Sequence, residues 1–266
     1  MGPAEPSAPA RAQAMAAPAL PLGDRIAIWG GLSAITALAW LYLVRMPMTP
    51  AGLGGLGAHI LSAVPPQMAN LWLNFMMWAV MMVAMMVPSA SPMVLMYARI
   101  ARGRKDGRAH EVWLFAGAYV VVWTIFSAAA TAGQFALVHA ALITGGLTAT
   151  PLMGGIILAA AGIYQLTPLK DACLGHCRSP MGFFMTEWRD GAAGAFRMGF
   201  KHGAYCAGCC WMLMALLFVM GVMNLLWVAA ISVLVLIEKV TPWGRAIARA
   251  SGAAMIVAGV AMPFHT

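Results

Sequence analysis

Long apolar runs constrain the fold of this chain more than any other feature of its sequence. Several of them reach the ~20 residues that cross the hydrocarbon core of a bilayer. Hydrophobic residues make up 62% of the chain and charged residues only 9%, whereas a soluble domain carries about 25% charged residues. A transmembrane β-barrel is excluded because its strands alternate apolar and polar residues over ~10 positions. The sequence therefore predicts an all-α, multi-pass transmembrane helical bundle.

The apolar runs divide the chain into about seven expected membrane spans. They cover residues 26–45, 71–94, 112–137, 151–169, 203–220, 224–238 and 246–263. Pro168 predicts that the fourth span ends or kinks nearby. The fifth and sixth spans should form an antiparallel hairpin, since only residues 221–224 join them. We expect a disordered Ala/Pro-rich tail over residues 1–24 and a single helical membrane domain over residues 25–266.

The basic residues lie almost entirely on one side of the predicted bundle. That side carries Arg11, Arg25, Arg99, Arg102, Arg104, Lys105, Arg108, Lys170, Arg178, Arg189, Arg197, Lys201, Lys239, Arg245 and Arg249. Only Arg45 falls on the other side, and all the acidic residues share the basic side. The positive-inside rule then places the N-terminus in the cytoplasm and the C-terminus outside. The net charge of +8 thus reports topology, and no nucleic-acid partner is expected because a soluble basic face is missing.

The cysteines are confined to one short part of the chain, on the expected cytoplasmic side. They form two groups with histidines, CLGHC at 173–177 and the stretch 202–210. Since the cytoplasm keeps thiols reduced, metal or redox chemistry is favoured there over structural disulfides. The candidate metal ligands are Cys173, His176, Cys177, His202, Cys206, Cys209 and Cys210.

Helical spacing groups these donors on common faces. His202, Cys206 and Cys209 stand at i, i+4 and i+7, which share one side of a helix. Thiolates and imidazoles suit copper(I), zinc or iron–sulfur chemistry. A single cysteine in a membrane helix is more often a small packing residue, but five cysteines with two histidines favour a metal site. The spacing matches neither a zinc finger nor a haem-attachment sequence, so the identity of the metal stays open.

Methionine is concentrated in the second predicted span. The stretch FMMWAVMMVAMMVPS, residues 75–89, supplies the possible secondary ligands Met77, Met81, Met82, Met85 and Met86. Thioethers bind copper(I) and remain neutral, so they are tolerated at lipid depth where a charge is costly. Such a ladder could pass a soft cation towards Cys210. The alternative is ordinary packing by a flexible side chain.

Three stretches resemble a bacterial family of predicted metal-binding integral membrane proteins, a domain-of-unknown-function family. They are MMVAMMVPSASPMVLMYA, YQLTPLKDACLGHCRSPMGFF and GFKHGAYCAGCCWMLMALLFVMGVMNLLWVAAISVLVLIEKVTPWG. The resemblance covers roughly residues 71–260. It implies a multi-pass protein of the bacterial inner membrane with a metal site at the seven cysteines and histidines named above. It implies no established activity.

Three hypotheses for function follow from these residues. The first is soft-metal binding or transfer, with copper(I) favoured over zinc or iron, and with a membrane metalloprotein or a metal carrier as partner besides the lipid bilayer. The second is thiol redox chemistry at the adjacent Cys209 and Cys210. The third is an accessory factor that assembles a membrane metalloenzyme. An enzyme is less expected than a binding protein, and the chain has no GxxxxGK[ST] sequence for an ATP-driven pump.

Overall fold

The chain folds as an all-α protein in the computed structural model, which describes residues 20–45, 66–103, 109–140, 150–222 and 224–262. The helices in those ranges are α1 (Leu22–Arg45), α2 (Pro66–Arg102), α3 (Ala109–His139), α4 (Pro151–Gln165), α5 (Pro168–Arg178), α6 (Pro180–Glu187), α7 (Gly191–Ala215), α8 (Leu217–Met220), α9 (Leu225–Val240) and α10 (Gly244–Ala261). No strand occurs in these ranges, which confirms that the fold is all-α, as predicted. Most of the predicted tail lies outside the described residues.

Four segments of the described chain are long and apolar enough to cross a membrane. They are α1, most of α2, most of α3, and Gly191–Met220, which joins α7 to α8. The α4–α5 pair makes a fifth if the two helices are counted as one bent span. Large apolar side chains such as Leu38 and Leu226 are exposed on the outer faces of the helices, as they would be in contact with lipid. The fold is thus compatible with a multi-pass membrane protein.

The chain bends by 63° between α4 and α5, which confirms the break predicted near Pro168. The Thr167 hydroxyl accepts a hydrogen bond from the Lys170 backbone N–H at 3.3 Å and so caps the new helix. Pro168 follows at the first helical position, where its missing N–H costs nothing. The bend lays α5 against α7, and Gly175 lies inside the helix without breaking it.

Two prolines lie inside α2, and each removes one backbone donor from the helix. The carbonyl of Ala84, four residues before Pro88, instead accepts the Trp40 indole N–H at 3.2 Å. The neighbouring carbonyl of Met86 accepts the Tyr119 hydroxyl at 3.1 Å. Helices α1 and α3 are therefore both tied to the turn of α2 that carries Met86.

Helices α4 and α10 approach so closely that their backbones touch. A Cβ on Gly162 would lie 2.5 Å from the carbonyl oxygen of Gly252, and a Cβ on Gly252 would lie 2.7 Å from the Cβ of Gln165. Small residues allow such contacts between membrane helices. The approach brings Ser251 within 3.0 Å of the Gln165 side-chain nitrogen and so helps to fix Gln165 beside the charged groups described below.

The main core is built around sulfur-containing side chains. Its buried members include Met77, Trp78, Met81, Met82, Met85, Met86, Cys206, Cys209, Cys210, Leu213 and Met214. A second buried cluster, rich in aromatic residues, contains Tyr97, Phe115, Phe183 and Phe184. The predicted ligands of α2 and α7 thus belong to one continuous core.

Candidate metal centre

The two cysteine groups converge where α5 packs on α7. The Cys177 thiol interacts with the thiols of Cys206 and Cys209. Cys173 lies close to the α7 backbone, since a Cβ on Gly208 would be 3.0 Å from its Sγ. Tyr164, near the end of α4, donates a hydrogen bond to the Gly208 carbonyl and helps to hold the bent segment in place. The CLGHC stretch therefore reaches the buried face of α7. All five of its residues, 173–177, lie within helix α5.

Cys206 is the centre of this thiol cluster. Its side chain interacts with the thiols of Cys177, Cys209 and Cys210. Its Sγ also lies 2.9 Å from Lys239 Nζ and 3.0 Å from the Tyr119 hydroxyl oxygen. Cys206 is only 1% exposed. A sulfur with this many polar neighbours inside an apolar core is unusual packing, and its surroundings can stabilise negative charge.

The other two cysteines of α7 point back along their own helix. The thiols of Cys209 and Cys210 donate to the Cys206 carbonyl at 3.1 Å and 3.0 Å. Within the described ranges, no group of three or more His, Cys, Asp or Glu side chains is spaced to hold a metal ion. The thiols are therefore close together but are not arranged around a common point. Metal binding would require the Cys209 and Cys210 thiols to break their hydrogen bonds to the Cys206 carbonyl.

Met86 connects α2 to the thiol cluster. Its Sδ lies 4.0 Å from Cys210 Sγ, so the second and fifth predicted spans touch at the point that a methionine route requires. The other candidate methionines, Met77, Met81, Met82 and Met85, are buried in the same core. The structure gives them packing contacts, and their role as ligands stays a prediction.

The two candidate histidines take different positions around the thiols. His202 is 3% exposed and stacks on Tyr119, with ring centroids 5.5 Å apart. Its Nδ1 is buried without a hydrogen-bond partner among the described residues. His176 stacks on Tyr205 at 4.2 Å, and its Nδ1 lies 2.9 Å from the Ala172 carbonyl oxygen. Ligation by either histidine is a prediction.

Lys239 reaches Cys206 because α9 runs back along α7. The reversal uses Gly221 at φ +91°, a backbone conformation that favours glycine. Asn224 then caps α9 by accepting the Leu226 N–H at 3.2 Å. The contact between Lys239 and Cys206, on opposite sides of this turn, shows the antiparallel hairpin predicted from the short connection.

Sequence reasoning missed the part that Lys239 and Tyr119 play. In the sequence, Glu238 and Lys239 are only a charged pair at the end of an apolar run, and Tyr119 carries no signal in its sequence surroundings. Glu238 and Lys239 are both buried, and their side chains contact different partners, Lys170 and Cys206. The only indication of their role in the sequence was a lysine next to a glutamate at the end of an apolar run.

A family model described as "PpoB2: Copper chaperone" matches residues 75–262, a range that contains every candidate ligand and also Lys239. No curated protein and no solved structure matches the chain.

Proposed function

The chain belongs to the PpoB2 copper chaperone family, and on that premise we propose that it is a membrane protein that binds copper(I) and transfers it to another metal-binding molecule. The family description supports a copper-related role. The membrane setting is supported by the long apolar helices. The acceptor, on this proposal, is a membrane metalloprotein or a metal carrier.

The convergence of thiols on Cys206 is the observation that carries the proposal. Cys206, Cys209 and Cys210 would be the principal ligands, with Cys177 from α5 and the thioether of Met86 beside them, and two thiols at a time, Cys206 among them, would hold the ion. Thiolate and thioether sulfur are soft ligands that select copper(I) over harder cations. Each thiol that binds the ion releases its proton. Cys173, His176 and His202 would complete the site or control access to it.

A gradient of burial along the thiols suits transfer rather than permanent retention. Cys173 and Cys177 are partly exposed, whereas Cys206, Cys209 and Cys210 are buried. We infer that copper arrives at the α5 thiols and passes inward by ligand exchange, because a new sulfur bond can form at Cys206 before the bond to Cys177 breaks. More sulfur donors lie together than a single copper(I) ion needs, which allows such an exchange.

We propose further that the chain has about seven spans, with the N-terminus in the cytoplasm and the thiol cluster at the cytoplasmic face of a bacterial inner membrane. The distribution of Lys and Arg supports this orientation. A periplasm-active phosphatase fused after Thr266 should be active in cells, and one fused within residues 104–108 should be inactive. The opposite pattern of activities would overturn the orientation.

Elemental analysis tests the copper assignment directly. Protein purified in mild detergent, with its thiols kept reduced, should carry about one tightly held copper ion per chain after exposure to copper(I), and less zinc or iron. Copper, zinc and iron contents all near zero would contradict the proposal. If metal is missing while Cys209 and Cys210 react reversibly as a disulfide pair, the thiol redox alternative is favoured instead.

A further inference from the structure

Lys239 is a buried cation beside the thiol cluster, and it has no carboxylate partner among the described residues. It is 7% exposed, and its Nζ donates to Cys206 Sγ at 2.9 Å and to Ser89 Oγ at 3.0 Å. A buried charge without an opposite charge nearby is strongly destabilising. The structure thus places the Lys239 amine where sulfur, and no carboxylate of the described residues, can balance a positive charge.

The second buried lysine of this region, Lys170, is paired with a carboxylate, as buried charges usually are. Lys170 Nζ lies 2.7 Å from Glu238 Oε2, and their side chains are 1% and 2% exposed. Glu238 is the residue next to Lys239, yet its carboxylate is held by Lys170 and by Gln165 at 2.8 Å. Because that pair is neutral as a whole, it offers no carboxylate to Lys239.

Charge counting shows what this cation does when the thiols hold a metal ion. A copper(I) ion bound by Cys206 and one neighbouring thiolate leaves one negative charge, and the Lys239 ammonium cancels it. A divalent ion on the same two thiolates is neutral, as the two protonated thiols are before binding, so Lys239 neither favours nor opposes its binding. Thiols that do not bind stay protonated and do not change this count. In an apolar core, the balanced combination is the more stable one.

We propose that Lys239 is a specificity-determining residue, which favours a monovalent over a divalent metal ion at the Cys206 cluster by balancing the charge of a copper(I) dithiolate. This inference rests on the copper-binding function proposed above. It assigns Lys239 a role towards the bound ion through Cys206, and not as a ligand.

The test is the Lys239→Met variant of the full chain in detergent, titrated separately with copper(I) and with Zn²⁺. Copper(I) binding should weaken about 100-fold, as expected for one unit charge a few ångströms from the ion at an intermediate dielectric. Zn²⁺ binding should change by less than about threefold, because exchanging two thiol protons for Zn²⁺ leaves the charge of the site unchanged. Lys239→Arg, which keeps the charge, should retain the wild-type order of affinities. Because Lys239 holds no carboxylate, its replacement leaves no buried acid unpaired.

The matched control is the double variant Lys170→Met, Glu238→Gln. It removes a buried lysine from the same region without changing the net charge, so both affinities should keep their wild-type ratio. A structural role for Lys239 alone would weaken binding of both ions together, and that result, or unchanged affinities, would overturn the inference. If Lys239→Met does not fold without metal, Zn²⁺ should restore its thermal transition at a smaller excess over the wild-type dissociation constant than copper(I) requires; an equal excess for both ions, or restoration by neither, would also overturn it.

Failure of this inference is distinguishable from failure of the proposed function. If the wild-type chain binds no copper(I), the proposed function is wrong. If the wild-type chain binds copper(I) and only the selective loss of copper(I) affinity in the Lys239→Met variant is missing, the function stands and the role of Lys239 is wrong.

Discussion

Replacing Cys206 with serine is expected to lower the affinity for copper(I) by more than about 100-fold. Losing an outer-shell partner of a metal ligand already costs about 10–100-fold, and Cys206 is proposed as a ligand in direct contact with the ion. Its sulfur is also the atom on which Cys177, Cys209 and Cys210 converge. Serine keeps the size and the hydrogen-bonding capacity of the side chain but removes the soft donor that copper(I) prefers. Competition with a chromogenic copper(I) chelator measures the affinity.

Cys173→Ser provides the matched control for this prediction. Cys173 belongs to the same cluster, but it is partly exposed and packs against the backbone at Gly208. Its replacement should lower the affinity by no more than about tenfold, because an entry ligand contributes less than the central one. Equal losses at Cys173 and Cys206 would contradict the central position of Cys206. No loss at either would count against a thiol site altogether.

Replacing Glu238 with glutamine is expected to lower the free energy of unfolding by about 3–5 kcal/mol, because breaking a buried pair leaves its partner uncompensated. Glutamine fills the same volume, so the effect does not come from a cavity. It leaves the Lys170 ammonium, which is 1% exposed, facing an amide that cannot balance its charge. Unfolding by denaturant in mild detergent, followed by helical circular dichroism, measures the loss.

Two comparisons isolate the buried charge as the cause of this loss. Adding Lys170→Met to Glu238→Gln removes the orphaned cation, so the double variant should recover most of the lost stability. Arg249→Gln breaks the exposed pair with Asp171, whose side chains are 66% and 28% exposed, and should cost less than about 1 kcal/mol. A loss at Glu238 as small as the loss at Arg249 would show that water reaches the pair.

The helical spacing of the cysteines and the position of Pro168 were enough to predict much of the local structure of the cysteine region. The i, i+4, i+7 spacing correctly placed His202, Cys206 and Cys209 on one buried face of α7. Pro168 correctly indicated the break that turns α5 towards α7. These predictions succeed because helix faces and proline breaks depend on neighbours within a few residues along the chain.

Other properties of the site could not be predicted because they depend on contacts between distant helices. The Lys239 ammonium meets Cys206 only through the reversal at Gly221. The sequence CLGHC, with Gly175 in its middle, does not by itself fix a conformation; in the structure it is helical and packs against α7. The number of spans and their orientation stay predictions, since length and hydropathy alone identify four or five candidate spans among the described residues.

The sequence by itself determined that this protein is helical, that its helices are apolar enough for a membrane, and that sulfur donors gather in one part of the chain, because composition and periodicity are local properties. Only the tertiary structure decided which sulfur is central and which charge faces it. Glu238 and Lys239 are adjacent in sequence, but they lie at different angles around α9, so one is neutralised by Lys170 and the other reaches the thiols. That division of charge depends on how α4, α5, α7 and α9 pack, and no single segment encodes it.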